Sequence, residues 1–322
     1  MVKIVEYVRP EQTRLMRLLR QCGVDGAVLR LPELTDGTMP SGPEDVKAAV
    51  QKVRDAGLKV EVIEPLPPFE KVKQGLPGRD AEIDKIHGLI RTMEQLEIPI
   101  LCHNFMAVHG WGRTRWAEHG RGGALVTGFD AADLPAYEEL ISAEQMWANY
   151  EYFVDAVVPV AEQHGIQLAM HPDDPPVASY RGVARIMTSP DAIARAMAMS
   201  DSPAQGLAFC QGTFSTMGAD IPASIHRFAD RIRFVHFRDV IGTPSKFTET
   251  FHDEGQTDMA AAMAAYVAIG FTGPMRSDHV PTLEGEENKY PGYEVLGRLN
   301  AVGYIRGLLH SAEFAATTAG VD

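Results

Sequence analysis

Short apolar runs alternate with longer amphipathic stretches along the chain. The runs are VKIVEYV (2–8), GAVLRL (26–31), KVEVIEPL (59–66), IPILCHNF (98–105), IQLAMHP (166–172), GLAFCQG (206–212), IRFVHFRD (232–239) and GPMRSDH (273–279). Most are rich in Val, Ile, Leu or Phe, as strands covered on both faces require. Between them the apolar positions follow the helical period. Residues 80–96 place Ile83, Ile86, Leu89, Ile90 and Met93 on one face. Further helices are predicted from Pro10 to about Gln21, from Pro43 to a stop at Gly57, over 137–164, from the Ser189-Pro190-Asp191 start, and over 221–229, 257–269 and 292–312. Pro near a helix start and Gly past its end are the expected signals.

Eight strands alternating with eight helices predict an α/β fold, a single (β/α)8 TIM barrel spanning 1–322. The rival is an open doubly wound sheet. The turn after the first run reads VRPEQT, which lacks the glycine-rich phosphate fingerprint of that architecture. One connection stands apart. Residues 106–136 show no clear period, which predicts a long lid-like loop inserted after strand four. Trp111 and Trp116 argue against a disordered insertion.

Composition narrows the partners. The formal net charge of −13 disfavours nucleic acid, which needs a basic footprint. It leaves room for a small anionic substrate, because clustered arginines or a metal reverse the local field. The apolar runs are too short to span a membrane, and the first residues show no secretory signal, so the expected compartment is the cytoplasm. Three widely spaced cysteines, Cys22, Cys102 and Cys210, are no disulfide framework.

Candidate chemistry comes from the strand ends, since a barrel of this kind carries its active site at the C-terminal ends of its strands. Strand five ends in His171, followed by Asp173 and Asp174. Strand six ends in Cys210. Strand seven ends in His236, with Arg238 two residues on. Strand eight carries Arg276 and Asp278, then His279. Side chains two apart share a strand face, so four neighbouring strands can aim His171, Cys210, His236 and Asp278 at one ion. Two imidazoles, a thiolate and a carboxylate suit Mn, Fe, Co, Ni or Zn better than Mg or Ca. Each residue alone has a bland reading as a packed or hydrogen-bonded side chain. Their conjunction favours a metal site. His103, His109 and His252 fall in barrel-top segments and stay candidates, whereas His87, His164, His226 and His310 sit in helical patterns. No lysine falls at an inward strand end, which weighs against Schiff-base chemistry, Lys246 being the exception left open.

Several segments resemble the mannonate dehydratase family of xylose isomerase-like barrels. They are LAMHPDDPP (168–176), FCQGTFS (209–215), VHFRD (235–239), FTETFHDEGQTDM (247–259), MRSDH (275–279) and PGYEVLGRL (291–299), with CHNFM and WGRT upstream. The resemblance runs from roughly 55 to 310 with the motifs in order. It implies a hydro-lyase of carbohydrate metabolism that converts D-mannonate to 2-keto-3-deoxy-D-gluconate, usually with Mn²⁺. By matching motif positions it implies His171, Cys210, His236 and Asp278 as metal ligands. Arg276, His279 and Tyr293 fall near the reaction centre. His103, Asn104, Arg113, Arg238 and His252 are candidates for holding substrate. A homo-oligomer is compatible with the resemblance. Three segments depart from the family pattern: the first strand reads VKIVEYV, CHNFMA places His103 where a tyrosine is usual, and MRSDH places Ser277 where proline is usual.

The expected chemistry is loss of the proton α to the carboxylate, followed by loss of the β-hydroxyl. Tyr293 or His279 would transfer protons and Arg276 would orient the carboxylate. For Tyr293 to act as a base, a cation such as Arg276 or the metal must lower its phenol toward neutrality. Alternatives are dehydration of another aldonic acid, an isomerase or epimerase sharing the enediolate chemistry, or a non-catalytic protein that binds metal and sugar acid.

Overall fold

The computed structural model describes residues 1–32 and 42–319. Eight parallel strands close into a barrel in chain order: β1 (Lys3–Val8), β2 (Gly26–Leu29), β3 (Lys59–Ile63), β4 (Ile100–Asn104), β5 (Gln167–His171), β6 (Gln205–Cys210), β7 (Ile232–His236) and β8 (Pro274–Arg276). Each falls inside or against its expected run. Closure is made by β8 on β1, pairing Lys3 with Pro274 and Ile4 with Met275.

Strand alternation sorts the side chains into two cores. Val5, Val28, Val62, Ile100, Cys102, Ala169, Ala208 and Phe234 form a buried cluster of their own in the barrel interior. A larger cluster lies between the strands and the surrounding helices. The parity of the interior layer decides what reaches the mouth. Two residues beyond Ala169, Ala208 and Phe234 stand His171, Cys210 and His236. The register sets Cys210 opposite His236, and His236 opposite Arg276.

Three helices start three or more residues later than periodicity suggests, the first of them at Thr13 rather than Pro10. The fourth begins at Ala143, where Ser142 caps it by accepting from Gln145 N–H at 3.2 Å. The last spans Val295–Ala319, after Pro291 and Gly292 at φ 83°. Two short helices were not foreseen, Glu70–Gln74 and Gln211–Thr216.

The region expected as a long lid-like loop, 106–136, contains two strands, Arg115–His119 and Leu125–Asp130. They pair antiparallel and join a second hairpin, Val240–Thr243 with Lys246–Glu249, in a four-stranded sheet above the barrel mouth. The second hairpin lies in what the sequence presented as a loop after β7. Its turn is the two residues Pro244-Ser245, a spacing that marks hairpins. Lys246 belongs to this sheet, is exposed, and pairs with Asp130 at 3.0 Å, away from the barrel interior.

Candidate active site and metal centre

Three donor atoms converge at the mouth. The ligating atoms of His171, Cys210 and His236 all lie within 4.8 Å of one another. Asp278 approaches from β8, its Oδ2 3.7 Å from Cys210 Sγ and 3.5 Å from His236 Nδ1. Simple alternation does not deliver Asp278, however. The strand ends at Arg276, and Asp278 sits in the left-handed region at φ 61°, a conformation uncommon outside glycine. Both Asp278 oxygens are also held by cations. Arg276 Nη2 lies 2.9 Å from Oδ1, and Arg238 Nε lies 2.9 Å from Oδ2.

The donor set fits a transition metal on its own geometry. Among the described residues neither ring nitrogen of buried His236 makes a well-aligned hydrogen bond, although Nε2 lies 3.1 Å from Glu64 Oε1 and Nδ1 3.5 Å from Asp278 Oδ2. A buried imidazole in that condition is costly unless something binds it. His171 directs Nδ1 to the Pro172 carbonyl at 2.6 Å, which leaves Nε2 for an ion, the usual outer support of a ligating histidine. Burial pushes the Cys210 thiol up, but Arg238 and His171 outweigh it and hold the group well below an ordinary thiol. A thiolate is the form that binds metal. Burial and Arg276 disfavour the charged His236 ring, while Glu64 and Asp278 overcome them and raise it. Metal binding there therefore displaces a proton.

The cavity is lined by Tyr7, Arg30, Glu64, Cys102, His103, Asn104, Trp111, His171, Asp174, His236, Arg276, Asp278, His279 and Tyr293 among others, and holds about 130 Å³. Arg276 spends Nε on Glu64 at 3.0 Å and Nη2 on Asp278, while buried Nη1 has no partner among the described residues. Tyr293 and His279 meet edge to face with ring centroids 5.2 Å apart, and Trp111 covers His279 at 4.7 Å. Burial and Asp278 raise the Tyr293 phenol well above its usual value, and Arg276 only partly opposes them. Of the two cations considered from sequence, Arg276 alone does not bring the phenol toward neutrality.

The substrate-shell candidates divide. His103 and Asn104 line the cavity. His103 stacks near Phe153 at 4.9 Å, and burial, with Lys73, lowers it to about 3, so its ring is neutral. Arg113, Arg238 and His252 are not lining residues. Arg113 and Arg238 give their terminal nitrogens to a buried network. Asp174 accepts from Arg113 Nη1 at 2.7 Å and from Arg238 Nη2 at 2.8 Å, and Glu249 Oε1 accepts from both arginines. The same Glu249 oxygen lies 3.0 Å from His279 Nδ1. His252 turns Nε2 to the Ser277 carbonyl at 2.8 Å. His109 is half-exposed and packs on Tyr180.

Sequence reasoning passed over Tyr7, Arg30 and Glu64, though a usable signal existed. They end β1, β2 and β3, so asking what closes the first strands finds them as it found the last four. Glu249 carried only a weak signal, because its place depends on the unforeseen hairpin. Lys73, buried, gives its ammonium to Glu70 and the Met106 carbonyl, at 3.0 and 3.1 Å.

Fold and mouth together define a (β/α)8-barrel enzyme with its polar constellation at the C-terminal strand ends. The barrel as such is widely shared: an L-ribulose 3-epimerase structure covers 99% of the chain with a TM-score of 0.64 at 16% identity, a likeness of fold alone. The family model for D-mannonate dehydratase (UxuA) matches residues 3–138 and 132–318, and the chain belongs to that family. It is accordingly a hydro-lyase, of a family whose metal dependence agrees with the donor groups in the mouth. A mannonate dehydratase of Shouchella clausii is 32% identical, the match covering 91% of this chain and 92% of that one. The crystal structure of mannonate dehydratase from Streptococcus suis serotype 2 superposes with a TM-score of 0.91 at 31% identity, covering 98% of this chain and 95% of that one.

Proposed function

We propose that the chain dehydrates D-mannonate to 2-keto-3-deoxy-D-gluconate, with one divalent transition metal, Mn²⁺ first among them, held by His171, Cys210, His236 and Asp278. The observation that carries this reading is the convergence of the donor atoms of His171, Cys210 and His236, beside a cavity walled by Arg276, His279 and Tyr293. When bound, the metal supplies positive charge beside the substrate carboxylate and its α-carbon.

The protein's own groups do the rest. Arg276 offers Nη1 to the carboxylate and sets the acid end of the substrate. His279 is held through Nδ1 by Glu249, which turns Nε2 to the cavity as the acceptor of the C2 proton. Tyr293 donates its phenol proton to the departing C3 hydroxyl. Water leaves, and the enol so formed rearranges to the 2-keto acid. His103 and Asn104 offer polar groups to the remaining hydroxyls. Trp111, from the inserted segment, covers His279 and limits water. The inserted hairpin thereby serves as the lid.

Wild-type protein loaded with Mn²⁺ and given D-mannonate should form a 2-keto-3-deoxy acid, with a panel of other aldonic acids as comparison. Absence of that product across the panel overturns the reading. Proton exchange in D₂O separates the two roles. Tyr293→Phe should stop water loss, keep its metal and still exchange the C2 hydrogen, whereas His279→Asn should stop both exchange and water loss. Exchange lost in Tyr293→Phe and kept in His279→Asn would reverse the assignment.

A further inference from the structure

The inner cavity adjoins a second chamber of about 250 Å³. Tyr7, Arg30, Trp111 and Tyr293 line both, so only these side chains separate the two. The rings of Tyr7 and Trp111 lie 5.4 and 6.4 Å from that of Tyr293 and frame the neck between them.

The charge of the outer chamber runs against that of the protein. Arg9, Arg30, Lys289 and Arg298 line it, and among the described residues no carboxylate does, on a chain of net charge −13. The four cations are not equivalent. Arg298 is buried and braces the neck, donating to the carbonyls of Tyr7 at 2.6 Å and Tyr293 at 2.5 Å. Arg30 lies inside, with Nη1 3.4 Å from the Tyr7 hydroxyl. Arg9 and Lys289 stand at the outer rim on Tyr290, 5.3 and 5.6 Å from its ring centre. Among the described residues neither of these two forms an ion pair.

A carboxylate approaching a strongly acidic protein meets net repulsion. A concave patch of one sign with aromatic walls focuses the opposite field locally and raises the concentration of anions there. We propose that the outer chamber is an anion-capture vestibule, in which Arg9 and Lys289 hold the carboxylate of an incoming sugar acid before it passes the neck. This rests on the reading of the inner cavity as a sugar-acid dehydratase site. Rim charges act over roughly a Debye length, about 8 Å at physiological ionic strength, so their effect fades with salt.

Two of the three tryptophans, Trp111 and Trp116, line the chamber, which allows a test that needs no turnover. The third, Trp147, lies elsewhere under Arg195 and gives a constant background. Iodide quenching of tryptophan fluorescence should fall about threefold in the Arg9→Gln/Lys289→Gln double variant, with quenching by neutral acrylamide unchanged. In the assay, kcat/KM for the aldonic acid at low salt should fall about three- to tenfold, the loss falling on kcat/KM rather than kcat. The gap from wild type should close as salt is raised. Wild-type iodide quenching in the double variant, or an unchanged kcat/KM and salt dependence, overturns the vestibule. Failure of the wild-type protein to dehydrate any aldonic acid sinks the dehydratase reading instead, and the iodide measurement still stands by itself.

Discussion

Two buried groups lie side by side in the barrel mouth, and both are dense enough in donor atoms to suggest a metal. One is His171, Cys210 and His236. The other is Asp174, Glu249 and His279. Their surroundings differ. In the first, no cation sits on either imidazole: His171 Nδ1 faces the Pro172 carbonyl and the His236 ring faces Glu64 at 3.1 Å and Asp278 at 3.5 Å, while a single guanidinium, Arg238, reaches Cys210 Sγ at 3.4 Å. In the second, Asp174 and Glu249 are each crossed by Arg113 and Arg238. Two guanidiniums already balance the two carboxylates, and an added dication would have to displace them. The lesson is that proximity of His, Asp and Glu side chains does not define a metal site. Which cations already occupy the lone pairs does. We read the first group as the metal centre, and the second as the frame that fixes His279 and ties the inserted segment, through Arg113, to the barrel.

The largest expected effect tests that division directly. His236→Ala should lower bound metal, measured by elemental analysis, from stoichiometric to trace amounts, and turnover on the order of 10³-fold or more. Full metal retention would break the comparison. Next comes Arg113→Met, which leaves buried carboxylates short of a partner. It should cost about 3–5 kcal/mol in denaturant unfolding and keep the metal. Loss of metal from that variant would make the two groups one site. Glu249→Gln should keep the metal and lower kcat about 10–100-fold, the scale of losing a group that orients a catalytic ring. A kcat equal to wild type would leave Glu249 a structural residue only. The smallest effect belongs to Arg121, which pairs with Asp253 at 2.9 Å on the exposed side of the inserted segment. Arg121→Ala should shift stability by less than about 1 kcal/mol, because solvent screens both charges. A larger loss would mean that the insertion is held from its outside as well as through Arg113.

Much of the site was legible because a barrel turns sequence position into spatial level. Residues at the ends of successive runs must gather at one mouth, so His171, Cys210, His236, Arg276 and His279 could be found from strand endings alone. The motif resemblance named the same residues by a separate route. The reading fell short where a side chain's role depends on a partner remote in sequence. Arg113 and Arg238 looked like substrate ligands because arginines near a sugar-acid site suggest anion binding. Their carboxylates, Asp174 and Glu249, lie on other elements, and only the folded chain shows that the charges are already matched. His252 likewise gives its Nε2 to a remote partner, the Ser277 carbonyl. The inserted segment escaped because its strands pair with a hairpin more than a hundred residues away, and short alternating strands carry little periodic signal on their own.

The sequence by itself determined the barrel, its strand order and the kinds of donor atom at its mouth. Those follow from local apolar pattern and from the parity of side chains along each strand, which no distant contact can alter. The tertiary structure alone decided which donors are unclaimed, how Asp278 reaches the site through a left-handed backbone, and where the aromatic neck and the cations beyond it lie. Those depend on pairings between remote segments, and electrostatic balance in a buried site is set by all the charges present.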